Sequence, residues 1–194
     1  LAKREALLNR LASDIRKSLD VNTILKTIVQ EIQGILQAEQ CYFAWYCSHI
    51  NPPTWDVVAE AQISTIPSQI GKRIMKNNSL VNQLQNRQII CVSDLRNNAN
   101  SECRELHRDW GFTALLALPI KMPSGEMGLL SCAQYNEARY WSEDEVELLQ
   151  AVSDQLAIAL SQAELYTQSQ NSAKEAQQKA QELELTLHQL QQTQ

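Results

Sequence analysis

What is scarce in this chain narrows its chemistry first. No apolar run approaches the roughly 20 residues that a bilayer-spanning helix needs, and the opening "LAKREALLNRLASD" lacks the uninterrupted apolar centre of a signal peptide, so the chain reads as cytoplasmic, without a membrane span. Positive charge is thin. The 17 Lys and Arg against 22 Asp and Glu leave a formal net charge of -5, and no basic stripe answers a phosphate backbone, which argues against nucleic acid as a partner. Histidines number three, His49, His107 and His188, too scattered for a metal site. No H-E-x-x-H, glycine-rich phosphate loop or nucleophile elbow occurs. The five cysteines, Cys41, Cys47, Cys91, Cys103 and Cys132, are odd in number and contain no C-x-x-C pair, so neither a disulfide framework nor a structural zinc is expected. Asp144 and Glu145 read as helix-start charges rather than an acid/base pair. No catalytic residue and no metal are assigned, and the chain is not expected to be an enzyme.

What is present is enough apolar material, 44% of 194 residues, for one core domain with an appendage. Leu1, Leu8 and Ile15 lie seven apart, with Leu11 in the second seam position, which predicts an N-terminal helix with an apolar stripe. A second helix follows from about Val21, capped by Asp20 or Asn22, with Ile24, Leu25, Ile28, Val29, Ile32, Ile35 and Leu36 on one broad face. "CYFAWYC" and "WDVVAEAQ", separated by "NPPT", predict a hairpin. From about Ile63 to Trp110 the chain is less regular, with one short strand, "QIICVSDL", between "SLVNQLQNR" and "SECRELHRDW", each long enough for a short helix. "FTALLALPIKM" and "GEMGLLSCAQY", joined through "PSG", complete an antiparallel sheet. The fold class is α+β.

Two patterns carry functional expectations. In "FTALLALPI" both faces are apolar, so both faces of the sheet must be covered. The segment from 63 to 110 is the chain left to cover the second face, and a ligand cavity is expected there, with Tyr42, Trp45, Trp55, Asp94, Cys103, His107, Trp110 and Ser131 as candidate lining residues. Cys103 stands among polar neighbours and reads as a surface residue, whereas the other four thiols lie in or beside apolar strands, where they act as small hydrophobes.

The last helix opens with a capping box, Ser142 with Glu145, and an acidic first turn. From there Val152, Ala159, Tyr166, Ala173, Ala180 and Leu187 recur every seven residues. The second seam residue lies four places on at Leu156 and Ala163, and three places on at Ala176, Leu183 and Leu190. One continuous helix leaving the domain, and a homodimer through the N- and C-terminal helices, are expected.

The order of elements, together with "WDVVAEA", "IICVSDL", "LLALPI", "SGEMGLLSC" and "WSEDEVELLQAVSDQLAIAL", resembles a GAF domain over about residues 20–168, with residues 1–19 as an N-terminal dimerisation helix and 169–194 as a coiled-coil signalling linker. The tail is similar to the linker that leads into a histidine kinase in cyanobacterial-type two-component sensor proteins. The resemblance implies a GAF fold, a sensory role that takes a small ligand or relays a signal, and a downstream kinase region in a longer chain. Within that family, bilin-binding photoreceptors attach their chromophore to a cysteine at the position of Cys103, usually followed directly by a histidine. Here Arg104 follows and His107 comes one helical turn later, so no cofactor is assigned and a bilin on Cys103 is the alternative.

Overall fold

The computed structural model describes residues 2–75 and 79–192, with side chains from 5–73 and 79–192. Leu1, the first member of the expected N-terminal stripe, lies outside them. The elements are α1 (Ala2–Arg16), α2 (Val21–Leu36), β1 (Gln40–Cys47), β2 (Thr54–Gln62), β3 (Arg73–Met75), α3 (Ser79–Gln85), β4 (Ile90–Val92), α4 (Ser101–Trp110), β5 (Ala114–Lys121), β6 (Met127–Gln134) and α5 (Glu143–Gln192). Six antiparallel strands form one sheet in the order β3-β2-β1-β6-β5-β4. Five of the strands follow from their apolar runs; β3, "RIM", is too short to show a period and exists because it pairs with β2.

Strand alternation sorts the apolar residues into two cores. From β1 and β5, Cys41, Phe43, Ala114, Leu116, Leu118 and Ile120 face α1, α2 and α5, while Tyr42, Ala44, Leu115 and Ala117 face α3 and α4. The expectation that both faces of β5 are covered therefore holds. The three long helices take one face and the two short helices take the other.

Helix α2 starts where the Asp20 side chain accepts from the Thr23 amide at 2.8 Å, which satisfies one of the unpaired N–H groups of its first turn. It ends at Gln37, in the left-handed region, and its carbonyls are met by Arg139. That guanidinium donates to the Leu36 and Gln37 carbonyls at 2.6 and 3.3 Å and to Glu145 at 2.6 Å, and lies 4.4 Å over the Trp141 ring. One side chain thus ties the end of α2 to the start of α5, whose capping box forms as expected: the Glu145 amide donates to Ser142 Oγ at 3.2 Å and the Ser142 amide to the Glu145 carboxylate at 2.9 Å.

Gly128 on β6 lies against the fully buried Phe43, and a Cβ there would stand 2.4 Å from the ring. Phe43 is held by core contacts and by an edge-on Trp45 at 4.8 Å, so it has little room to yield. Gly128→Ala is expected to lower stability by about 1–3 kcal/mol, read as a shift in the urea midpoint without a change in slope.

Helix α5 is continuous over 50 residues, which agrees with the unbroken seven-residue repeat. Its expected role inside the domain needs correction. Val152, Leu156, Ala159 and Ala163 are buried by this chain's own α1, α2 and sheet, and Leu11 and Ile15 of α1 are buried in the same core with Leu8 packed against it. The stripe that was expected to meet a second copy is therefore covered within the chain as far as Ala163, because α1 folds back on α5 and occupies the seam. From Leu165 to Gln192 the helix is exposed on all sides.

Candidate functional site

A cavity of about 430 Å³ opens between the sheet and the two short helices. Its interior is apolar and buried: Tyr42, Trp55, Leu115, Ala117 and Leu129 come from the strands, and Leu80, Val81, Leu84 and Ile90 from α3 and β4. Its charged edge is formed by Lys72 and Arg73 together with Glu102, Glu105, Leu106, Asp109 and Trp110 of α4. This size lies within the range of small-molecule sites, and an apolar interior with a charged rim is their usual composition.

Sequence-local signals build α4. Asn100 caps it, accepting from the Glu102 amide at 2.9 Å, and Gly111 ends it at φ +80, its amide donating to the His107 carbonyl at 2.7 Å. Glu102 reaches out of this helix to the start of α3, where its carboxylate accepts from the Ser79 and Leu80 amides at 3.1 and 3.3 Å and from the Ser79 hydroxyl. Those bonds lower its pKa and hold α3 against α4, so they set the width of the cavity.

Of the eight residues expected to line a pocket, Tyr42, Trp55 and Trp110 stand on its wall. Tyr42 stacks on Phe112 with ring centroids 6.0 Å apart, and burial pushes its phenol up to about 12, against an opposing hydrogen bond with Ser131. Ser131 is buried beneath it, with its Oγ 3.4 Å from the Leu116 carbonyl. His107 Nδ1–H donates to the Phe112 carbonyl at 2.7 Å, tying α4 to the start of β5. Asp94 is bound by Arg96 through two guanidinium contacts of 2.9 and 2.7 Å, which hold its pKa down to about 2. Trp45 packs against the helix-side core. Sequence reasoning missed Lys72, Arg73 and the α3 wall. It also missed the acids of α4, the one part of the lining that left a signal, since Glu102, Glu105 and Asp109 fall three and seven apart on one face.

Cys103 contradicts its expected exposure. It is 3% exposed in the core under α4, because Cys103, Leu106 and Trp110 are three and seven apart and turn together toward the sheet, leaving the polar neighbours on other faces. Burial and the nearby Glu102 raise its pKa, with Arg104 opposing. Cys91 also departs from expectation: on the short edge strand β4 it points outward and is exposed. Cys41 and Cys132 face each other across β1 and β6 with sulfurs 3.6 Å apart, and burial raises the Cys41 thiol further. A maleimide is expected to label Cys91 first in the native protein, and Cys41, Cys103 and Cys132 only after unfolding, as peptide mass spectrometry would read. Cys103→Ser is expected to cost about 1–3 kcal/mol, since it places a hydroxyl in an apolar core.

The depressed carboxyls predict an acid limb. Glu102 and Asp94 have folded pKa values below their unfolded ones, so their contribution is present above the ordinary carboxylate range of about 4 and is lost as pH falls through the folded values, down to about 2 for Asp94. Urea midpoints should decline from about pH 4.5 toward 2. Glu102→Gln should flatten part of that decline. Glu164, raised by burial and by Glu126, acts with the opposite sign.

Among the described residues no group of His, Cys, Asp and Glu could hold a metal ion, and no helix is long and apolar enough to cross a membrane. A family model of the GAF domain matches residues 20–160. The circadian input-output histidine kinase CikA of Thermosynechococcus vestitus is 27% identical over 176 residues, covering 86% of this chain and 24% of that protein. CikA of a Synechocystis species is 26% identical over 197 residues, covering 87% and 26%. The chain thus spans about a quarter of the length of these relatives. Among solved structures, a phycoerythrobilin-bound GAF domain from a cyanobacterial phytochrome has a TM-score of 0.72 at 22% identity, covering 84% of this chain and 97% of that one. A far-red absorbing dark state with bound biliverdin gives 0.71 at 23% identity, with coverage of 81% and 99%. At these identities the likeness to solved structures is one of fold. With the six-stranded sheet, the long helices behind it and the match over residues 20–160, the chain belongs to the GAF domain family.

Proposed function

We propose that this chain is the sensory module of a two-component signalling protein of the cytoplasm, taking a small ligand in the cavity and relaying the change along α5, as a homodimer, to a histidine kinase region farther along the same polypeptide. The observation that carries the reading is the position of α5. Leu148, Leu149, Val152, Leu156 and Leu160 pack it behind the sheet whose other face walls the cavity, and from Leu165 it runs on exposed to solvent for roughly 40 Å at ~1.5 Å per residue. In that stretch Tyr166, Ala173, Ala180 and Leu187 occupy one seam position, and Ala176, Leu183 and Leu190 the other. The 3-4 spacing suits a two-stranded coil. In a parallel pair, Lys179 at g meets Glu184 at the following e of the partner copy, an oppositely charged contact that favours this orientation. The alanine section buries little area and the terminal leucines more, so the coil has a loose stretch able to shift between two packings, which ligand binding biases only if it favours one of them. Sedimentation tests the relay: a dimer is expected at tens of micromolar, and a monomer would sink it.

The alternative is a photoreceptor with a bilin on Cys103. Structures with bilins bound share the fold, which favours it, while the buried, high-pKa thiol off the cavity wall weighs against it. Co-expression with a bilin-producing pathway separates the two: no covalent, zinc-fluorescent band is expected, and such a band lost in Cys103→Ser would establish the alternative.

A further inference from the structure

The polar groups around the cavity divide into those already engaged and those with hydrogen-bonding capacity to spare. Inside, the walls from Trp55, Leu84, Leu115 and Leu129 offer flat apolar surface, and the Tyr42 hydroxyl is turned to Ser131, so a polar ligand group gains little there. On the rim, the Glu102 carboxylate is taken up by Ser79 and Leu80, and Glu105 and Asp109 have interactions of their own. A cationic ligand would have to displace existing partners from these acids. The cations are differently placed. The Lys72 ammonium lies 5.6 Å from the Trp110 ring centroid, a contact that draws on its charge but not on its N–H donors. Arg73 beside it makes no side-chain hydrogen bond or ion pair with another described residue. A guanidinium and an ammonium lining the same cavity can both donate to one carboxylate.

Resting on the ligand-sensor reading above, we propose that the cavity takes a small aromatic carboxylate, its ring system against Trp55 and Leu129 and its carboxylate at Lys72 and Arg73. The volume, about 430 Å³, lies at the lower end of the ~300–1,000 Å³ of small-ligand sites, the scale of a one- or two-ring molecule. Apolar walls supply affinity without selecting charge, and the two rim cations supply the charge preference.

Calorimetric titration of the chain with naphthoate, the neutral naphthalenemethanol and the cationic naphthylmethylamine tests the charge class separately from the presence of a site. Naphthoate is expected to bind about tenfold more tightly than the alcohol, with the amine weakest, and the margin should shrink at high salt. The exposed double substitution Lys72→Ala with Arg73→Ala is expected to abolish the difference between acid and alcohol. Equal affinities, a preference for the amine, or a preference for the acid that survives the double substitution would overturn the carboxylate assignment while leaving a ligand sensor. Binding by none of the three would remove both the assignment and the reading on which it rests.

Discussion

Replacing Leu187 and Leu190 with Asp is expected to weaken self-association at least about 100-fold, roughly 2.8 kcal/mol at ~1.4 kcal/mol per tenfold, while leaving the urea midpoint of the domain where it was. Both side chains are more than half exposed in the single chain, at 51% and 60%, and neither belongs to the cores of the domain. In a parallel coil they would meet their counterparts at adjacent a and d positions, where full burial stabilises by about 1.5–3 kcal/mol per side chain. Asp reverses that contribution and sets like charges opposite one another. The alanines at 173, 176 and 180 cannot compensate, because they bury little area. The measurement is sedimentation velocity across a concentration series beside a denaturation curve. A variant that stays dimeric would place the interface elsewhere, and one that unfolds would contradict the exposure of the tail.

Leu156→Ala should do the opposite. Leu156 of α5 is fully buried against the neighbouring helices and the sheet, so its truncation is expected to cost about 2–5 kcal/mol of domain stability, the sum of lost transfer free energy and the cavity left behind. The loss should not depend on protein concentration, since no second copy contributes to that contact. If the helix seam at Leu156 were intermolecular, the same substitution would instead shift the dimer equilibrium, and the apparent midpoint would move with concentration. Measured together, the two variants separate the part of α5 that belongs to the domain from the part that belongs to the relay.

The sequence by itself determined most of the local structure. The period of α2, the capping box at Ser142 and Glu145, the turn after Lys121 and the two-sided apolar pattern of β5 each arise from contacts a few residues apart, or from burial that leaves a repeat in the residue types. It also located the covered second face of the sheet, and with it the region of the cavity. Only the tertiary structure decided what meets what. A heptad seam reads the same whether its partner is α1 of the same chain or a second copy, so the closure of Leu11 and Ile15 over Val152 and Leu156 could not be read from spacing. Cys103 has polar sequence neighbours, yet helical rotation sends them to other faces and carries the thiol into the core with Leu106 and Trp110. Lys72 and Arg73 carry no local signal at all. They become rim groups because a three-residue strand pairs with β2 at the sheet edge, and long-range pairing of that kind leaves no period in so short a run.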